Sequence, residues 1–469
     1  MQNDDSEMRI RKIDEPLELC GIHSSGKSIA AHKGKKYYID FGIPGETVKV
    51  ELDPRKKGFY GGRVSEIIHP SEKRISPFCK HFGSCGGCNW QHLEYSLQLE
   101  LKRKILLNAF EKYSINSLEI PAVLPSPEIQ FFRHRMEYSF AADGWTESPH
   151  SSDSPIPVMG FHLSNAPNQV IPIDECFLQA DLSLEICQVV RDFALHNEIP
   201  FYNHFDNSGI LRSLSIRTAL SGDVMLVLGL VHEDSQILEK LSSFIKASFP
   251  VINSLCYTIH TSEKHSQMQG KIIPLDDSGG FIFEHLNGFT FRISANSFFQ
   301  PNPLQAGNIF SLARQWSGLT GRERVIDLYT GVGTIALFLA SYSKDILGIE
   351  GSSMAIEDAR ENARINGIRN ASFIVGDILQ TFNLNFLAEY GTIDMIILDP
   401  PRSGTLIEIK KTILASGAEK ILYLSCNPVS LAFDLKQLCE GYHIIKIQPF
   451  DMLPHTSQLE TLVLLEKTK

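Results

Sequence analysis

The sequence predicts a chain of the α/β and β class: a small N-terminal β-barrel, a central mostly β region that opens on a cysteine cluster, and a C-terminal doubly wound parallel sheet. Three observations predict it. The 469 residues exceed the roughly 250–300 that one hydrophobic core serves, so two or three domains are expected. The apolar pattern then changes character twice along the chain. In the last third, polar residues recur at the ends of apolar runs, as they do where strands alternate with helices.

Composition narrows the class. With 43% hydrophobic and 21% charged residues, global disorder is excluded. The opening MQNDDSEMRIRKIDE has no apolar stretch of the signal-peptide kind, and the run from Val224 to Val231 is too short to span a bilayer. A cytoplasmic protein without a membrane partner is the expectation. Nine cysteines, an odd number in a long chain without an export signal, argue for metal binding or catalysis rather than a disulfide framework. The net charge of −10 repels phosphates at long range, so any polyanionic partner must meet a local basic surface.

From Leu17 to about Pro70, short alternating runs such as KKYYIDFGIPGETVKVEL and GFYGGRVSEII read as a small antiparallel barrel. Between Lys27 and Arg74 there are 11 Lys and Arg against 6 Asp and Glu. That local excess of five positive charges is either a phosphate-contacting face or an ordinary solvated barrel surface. Leucines at helical spacing predict a helix from Glu94 to Tyr113. LRSLSIRTA and VMLVLGLV flank Ser221-Gly222-Asp223 and predict a hairpin. Residues 143–156, rich in Ser, Pro and Asp, read as a surface loop. Boundaries at 12–73, 74–295 and 296–469 follow.

The third region alternates RVIDLYT, KDILGIEGS, ASFIVGDIL, TIDMIILDPP and KILYLSCNP with helical segments. Asp327, Glu350, Asp377, Asp399 and Cys426 fall at or just past the carboxyl ends of those runs, at spacings of 23, 27, 22 and 27 residues. In open α/β sheets the ligand crevice lies outside those ends, so five strands deliver polar groups to one place. In DLYTGVGT, Gly331 and Gly333 permit a tight turn and close approach to a ligand. Glu350 is placed to accept from both hydroxyls of a ribose, and Asp377 from an exocyclic adenine amine. The third glycine of the dinucleotide fingerprint is missing, so adenosine without a diphosphate fits S-adenosylmethionine better than a nicotinamide dinucleotide. In LDPPRSG two prolines stiffen the crevice rim. In SCNP, Cys426 stands among loop-forming neighbours and reads as a nucleophile rather than a buried hydrophobe.

FFQPNP (298–303), DLYTGVGT (327–334), LDPPRSG (398–404), LSCNP (424–428) and PFDMLPHTSQLETLVLL (449–465), in that order, resemble the RNA uracil carbon-5 methyltransferase family. The segment around GIPGETVKVEL resembles the TRAM domain, an RNA-binding barrel of the OB-like kind. The resemblance covers essentially the whole chain and implies a Rossmann-like methyltransferase domain. It matches Cys426 to the nucleophile that adds to uracil carbon 6 and Glu460 to the base that removes the carbon 5 proton. Gln300, Tyr329, Thr334, Glu350 and Asp399 match cofactor positions, and Asp377 joins them by its strand-end place. Cys79-x5-Cys85-x2-Cys88, with Cys176, matches the ligands of a 4Fe-4S cluster; on spacing alone a tetrahedral zinc site is equally compatible. A TRAM domain together with this cysteine motif implies 23S ribosomal RNA as substrate, with transfer RNA the alternative, and a monomeric enzyme. A non-catalytic RNA-binding protein would need neither Cys426 nor Glu460. The chain departs from the family's usual glycine-rich turn at Thr330 and Thr334, whose hydroxyls still hydrogen-bond. Histidines 81, 134 and 455 lie near motifs and are assigned no chemistry.

Overall fold

A computed structural model describes residues 11–53, 60–115, 119–144, 156–166, 168–260 and 270–468. The first five strands are β1 (Arg11–Ile22), β2 (Ser28–His32), β3 (Lys35–Asp40), β4 (Thr47–Leu52) and β5 (Gly61–His69). They close a barrel in the order β1-β2-β3-β5-β4. The expected antiparallel barrel is corrected at one seam, where β3 and β5 pair in parallel. The long β1 makes the rest of the closure, pairing β2 through its second half and β4 through the other side, with register irregularities on both. Alternate residues Tyr37 and Ile39, Val48 and Val50, and Leu17 and Leu19 point inward and form the barrel core. Of the basic excess, Lys27, Lys49, Arg63 and Arg74 are ion-paired to Asp40, Glu66, Glu51 and Glu46. Arg55, Lys56 and Lys57 lie outside the described residues.

The helix α1 (Tyr95–Lys112) forms as expected and leads to the central sheet. Its members are β6 (Arg135–Ala141), β7 (Val158–His162), β8 (Val170–Pro172), β9 (Leu211–Thr218), β10 (Val224–Leu230), β11 (Ile252–Ile259) and β12 (Ile273–Pro274). Helix α2 (Asp181–His196) precedes β9, and α3 (Ser235–Ser248) crosses between the parallel neighbours β10 and β11. The order is β12-β11-β10-β9-β6-β7-β8. The β9–β10 hairpin occurs in the predicted place. The loop expected at 143–156 lies, over 145–155, outside the described residues.

A hairpin of β13 (Phe281–Leu286) and β14 (Phe289–Ser294) follows. It packs on the last third of the chain rather than on the central sheet alone: Leu286, Phe291 and Ile293 share that region's core, and Ser294 donates to Asp358 through both its N–H and its hydroxyl. The remaining elements are α4 (Pro303–Ser317), β15 (Arg324–Leu328), α5 (Thr334–Ala340), β16 (Asp345–Glu350), α6 (Ser353–Ile365), β17 (Ala371–Val375), α7 (Ile378–Thr381), α8 (Leu384–Tyr390), β18 (Met395–Leu398), α9 (Ile407–Ser416), β19 (Lys420–Ser425), α10 (Pro428–Leu438), β20 (Tyr442–Phe450) and β21 (Glu460–Lys467).

Their strands form one sheet in the order β17-β16-β15-β18-β19-β21-β20. The first five are parallel, and β21 inserts antiparallel beside β19. Their nearly continuous apolar runs follow from burial on both faces. One face is covered by α4, α5 and α6 with the β13–β14 hairpin. The other is covered by α9 and α10 together with α1, whose Leu106, Ala109 and Phe110 reach across from the central region. Among the described residues no helix is long and apolar enough to cross a membrane.

Candidate active site

The chain reverses its strand order between β15 and β18, and the crevice opens there. Asp327, one residue from the end of β15, is fully buried and accepts the Thr330 hydroxyl at 2.6 Å. Burial is the main reason its carboxyl is pushed up to about 7, with Glu350 adding repulsion. The turn after β15 uses left-handed backbone at Tyr329 (φ 65°), Gly331 and Gly333, and Thr334 opens α5. The Tyr329 hydroxyl pairs with Thr405 at 3.0 Å, tying this turn to the rim after β18.

Glu350 ends β16 with its carboxylate already oriented. Gly331 donates to one oxygen at 3.3 Å and Ser352 to the other at 2.9 Å. Asp377, exposed beyond β17, caps α7 by accepting from Gln380 at 3.0 Å; both it and Glu350 bear on the Tyr329 hydroxyl. Asp399 follows β18, and loss of hydration pushes it up to about 7, with Asp327 adding to the shift.

Cys426 stands just beyond β19, partly buried, before Asn427 caps α10. Its thiol is pushed up to about 12 by burial first, then by Glu460 and Asp399, while Arg402 acts in the opposite direction. Glu460, the first residue of β21, is buried, and its carboxyl is held well above the usual range by burial and by Asp399, again opposed by Arg402. The antiparallel β21 thus brings its amino end to the carboxyl end of β19, where Thr461 pairs Ser425. Only that reversal puts a residue 34 positions later (460 − 426) beside the cysteine.

Glu350, Asp399, Cys426 and Glu460 are brought together at the strand tips, with Tyr329, Thr334 and Asp377 on the turns beside them. Gln300 arrives from outside the sheet, half-buried on the segment between β14 and α4. Sequence reasoning missed Arg402. The Arg402 carbonyl accepts from Asn427 at 2.8 Å and Ser430 at 3.1 Å, which fixes the rim loop against the cysteine turn. It also missed the buried Lys102–Asp451 ion pair between α1 and the loop before Glu460. Its signal was readable: Lys102 falls in register with the buried positions Gln98, Ile105, Leu106 and Ala109.

Cys79, Cys85, Cys88 and Cys176 line a single cavity of about 1600 Å³ between the barrel and the central sheet, which also reaches Phe298, Phe299 and Pro301 on either side of Gln300. Their thiols repel one another's charge, and burial pushes Cys85 up to about 11 and Cys88 up to about 12. Among the described residues, however, no group of three or more His, Cys, Asp or Glu side chains is placed to hold a metal ion. The four expected ligands line one space but are not assembled as a finished ion site, which bears equally on zinc and on a 4Fe-4S cluster.

Residues 281–468 match the family model described as tRNA (uracil-5-)-methyltransferase. An uncharacterized RNA methyltransferase of Bacteroides thetaiotaomicron is 35% identical over 94% of this chain and 99% of its own length. Another from Porphyromonas gingivalis is 34% identical over 96% and 99%. The crystal structure of the Pyrococcus abyssi tRNA (uracil-54, C5)-methyltransferase bound to S-adenosyl-L-homocysteine superposes with a TM-score of 0.75 at 27% identity, covering 96% of this chain and all of that one. Strand-tip carboxylates, a cysteine and a glutamate on adjoining strands, and relatives matched end to end lead to one conclusion: the chain belongs to the family of S-adenosylmethionine-dependent RNA uracil-5-methyltransferases.

Proposed function

We propose that this enzyme methylates carbon 5 of one uridine in 23S ribosomal RNA through a covalent adduct on Cys426. The observation that carries the mechanism is that the β19–β21 ladder ends at the Ser425–Thr461 pair, so that Cys426 and Glu460 are the next residues on adjoining strands, with Glu460 bearing on the Cys426 thiol. Uracil carbon 5 is a poor nucleophile. The Cys426 thiolate adds to carbon 6, the ring becomes an enolate, and carbon 5 displaces the methyl group from the sulfonium. Glu460 then takes the carbon 5 proton, and the electrons of that C–H bond reform the double bond and expel the thiolate. Arg402 and an incoming sulfonium both favour the thiolate that burial opposes. Glu350 holds the ribose, and Gln300, Tyr329, Thr334, Asp377 and Asp399 surround the rest of the cofactor. The target uridine must leave its stack, which a single-stranded loop makes inexpensive.

Cys79, Cys85, Cys88 and Cys176 are the residues that would hold a 4Fe-4S cluster, supported by their convergence on one cavity and by the family resemblance. A cluster held there would tie those loops together; the methylation needs no electron. The family resemblance of a TRAM-like barrel joined to the cysteine motif is what favours ribosomal RNA as the substrate class. The alternative, transfer RNA, draws on the Pyrococcus relative, which acts on uracil 54 of tRNA. Tritium release from carbon-5-labelled uridine, measured with 23S RNA and with transfer RNA, separates the two. Release from transfer RNA alone removes the ribosomal assignment, and release from neither removes the activity.

A further inference from the structure

The loop between β20 and β21, residues 451–459, ends at Glu460, and Phe450 and Glu460 face each other as the first strand pair beyond it. The ladder fixes the backbone of β21 but not the approach to its first residue. That approach is set at His455, in the middle of the loop. His455 is buried and holds a left-handed backbone at φ 64°, which a residue with a β-carbon keeps only when its surroundings insist on it.

Those surroundings are the chain neighbours of the cysteines. The His455 carbonyl accepts from both Asn89 and Trp90 at 3.0 Å, directly after Cys88. Phe78, directly before Cys79, sets its ring edge-on to the imidazole at 5.0 Å. Phe78 in turn packs on Phe177, directly after Cys176, at 5.3 Å. Gln98 of α1 completes the clasp. Its side-chain oxygen accepts the His455 N–H at 2.9 Å, and its amide donates to the imidazole Nδ1 at 3.3 Å and to the Trp90 and Leu93 carbonyls. Because Nε2 lies 2.8 Å from the Ile129 carbonyl, that nitrogen carries the ring proton and Nδ1 accepts. The ring is therefore held in one tautomer and one orientation by three separate segments, those of Phe78, Gln98 and Ile129, while Asn89 and Trp90 hold the backbone.

We propose that His455 is a positioning residue through which the cysteine loop sets the place of Glu460, so that disturbing the loop stalls proton removal rather than methyl transfer. The inference rests on the proposed role of Glu460 and names what holds it. Gln98→Leu removes both hydrogen bonds to His455, and those to the Trp90 and Leu93 carbonyls, with little change of volume; Phe78→Leu removes the ring contacts with His455 and Phe177 and leaves the buried polar groups paired. In single-turnover reactions with RNA and labelled cofactor, methyl transfer and resolution of the denaturation-resistant methylated adduct are timed separately, with Glu460→Gln as reference.

Resolution slowed about tenfold or more in Gln98→Leu and severalfold in Phe78→Leu, with methyl transfer within about twofold of wild type, is the expected result. His455→Gln, which keeps a donor for the Ile129 carbonyl, should resolve faster than His455→Ala. Equal slowing of both steps, or of neither, in folded Phe78→Leu protein overturns the coupling. Failure of Glu460→Gln itself to accumulate adduct instead overturns the reading of Glu460 as the base.

Discussion

The strand-tip crevice and the cysteine-lined cavity are built in opposite ways from similar material. Both gather ionisable groups where burial favours their neutral forms: carboxyls raised to about 7 in one, thiols raised to about 11 and 12 in the other. In the crevice each group lies in, or directly after, a strand paired on both sides, so Asp327, Glu350, Asp399 and Cys426 have their places before any ligand arrives. Cys79, Cys85 and Cys88 ride on turns between residues 76 and 93, joined to the rest by isolated bridges such as Cys85 with Leu163, and Cys176 lies on the segment between β8 and α2. A scaffold of ladders suits groups that must meet a reacting atom within a few tenths of an ångström. A scaffold of turns fixes its groups less closely, which groups that meet no reacting atom tolerate.

The comparison breaks first at Cys426. Cys426→Ala should lower methylation by at least on the order of 10⁴-fold and abolish the adduct, because removing a nucleophile leaves only binding and positioning. The thermal midpoint should not move, since the turn is fixed by Asn427 and Ser430 rather than by the thiol. Cys88→Ser should do the reverse, lowering the midpoint while methyl transfer persists. Wild-type methylation by Cys426→Ala protein would remove the nucleophile from the mechanism.

Next in size is the ion pair where the two regions meet. Lys102 of α1 and Asp451 are both fully buried, and Lys102 also donates to the Leu453 carbonyl at 3.0 Å. Lys102→Met leaves the Asp451 carboxylate buried without its partner, a loss of about 3–5 kcal/mol in urea unfolding. Replacing Asp451 with Leu in the same chain should return much of it, because no uncompensated charge then remains. A loss below about 1 kcal/mol in the single variant would show that water reaches Asp451.

How much of this was legible follows the same division. The doubly wound sheet and its five polar strand tips were readable because the period of apolar runs and the offset of Asp327, Glu350, Asp377, Asp399 and Cys426 are local features of the chain. The β9–β10 hairpin and α1 were readable for the same reason. What was not local was not legible. The parallel seam of β3 and β5 depends on how the barrel closes. The docking of the β13–β14 hairpin on α6 depends on Asp358 and Asn362, which meet strand residues about seventy positions away. Residues such as Arg402 and His455 act through contacts with distant loops, and the only hint for Lys102 was a lysine in an apolar register.

Within the crevice, Glu350 tests how far preorganisation extends. Its carboxylate already accepts from Gly331 and Ser352, so a ribose meets acceptors that need no rearrangement. Glu350→Ala should weaken S-adenosylmethionine binding by one or two charge-assisted hydrogen bonds, each about 1.5–3 kcal/mol, as read by calorimetry. Glu350→Gln should lose less, because one acceptor oxygen survives. Unchanged affinity in the alanine variant would take Glu350 out of the cofactor site.

The smallest effect concerns protons. Asp327 and Asp399 have folded-state values raised to about 7 from an ordinary value near 3.8. A raised carboxyl binds its proton more tightly in the folded chain, so the stability it contributes is present below the ordinary value and is lost as pH rises through about 7. A ligand that brings fixed positive charge beside these groups favours their ionised forms and offsets that loss. The sulfonium of S-adenosylmethionine carries such a charge, and the thioether of S-adenosylhomocysteine does not. The ratio of their affinities should therefore rise with pH from about 5.5 toward 7, by up to about tenfold per pH unit for one fully coupled carboxyl, and level off above. Asp399→Asn should flatten the rise, since it removes the carboxyl that bears on both Cys426 and Glu460. A ratio that stays constant across that range would mean that the sulfonium sits away from these carboxyls.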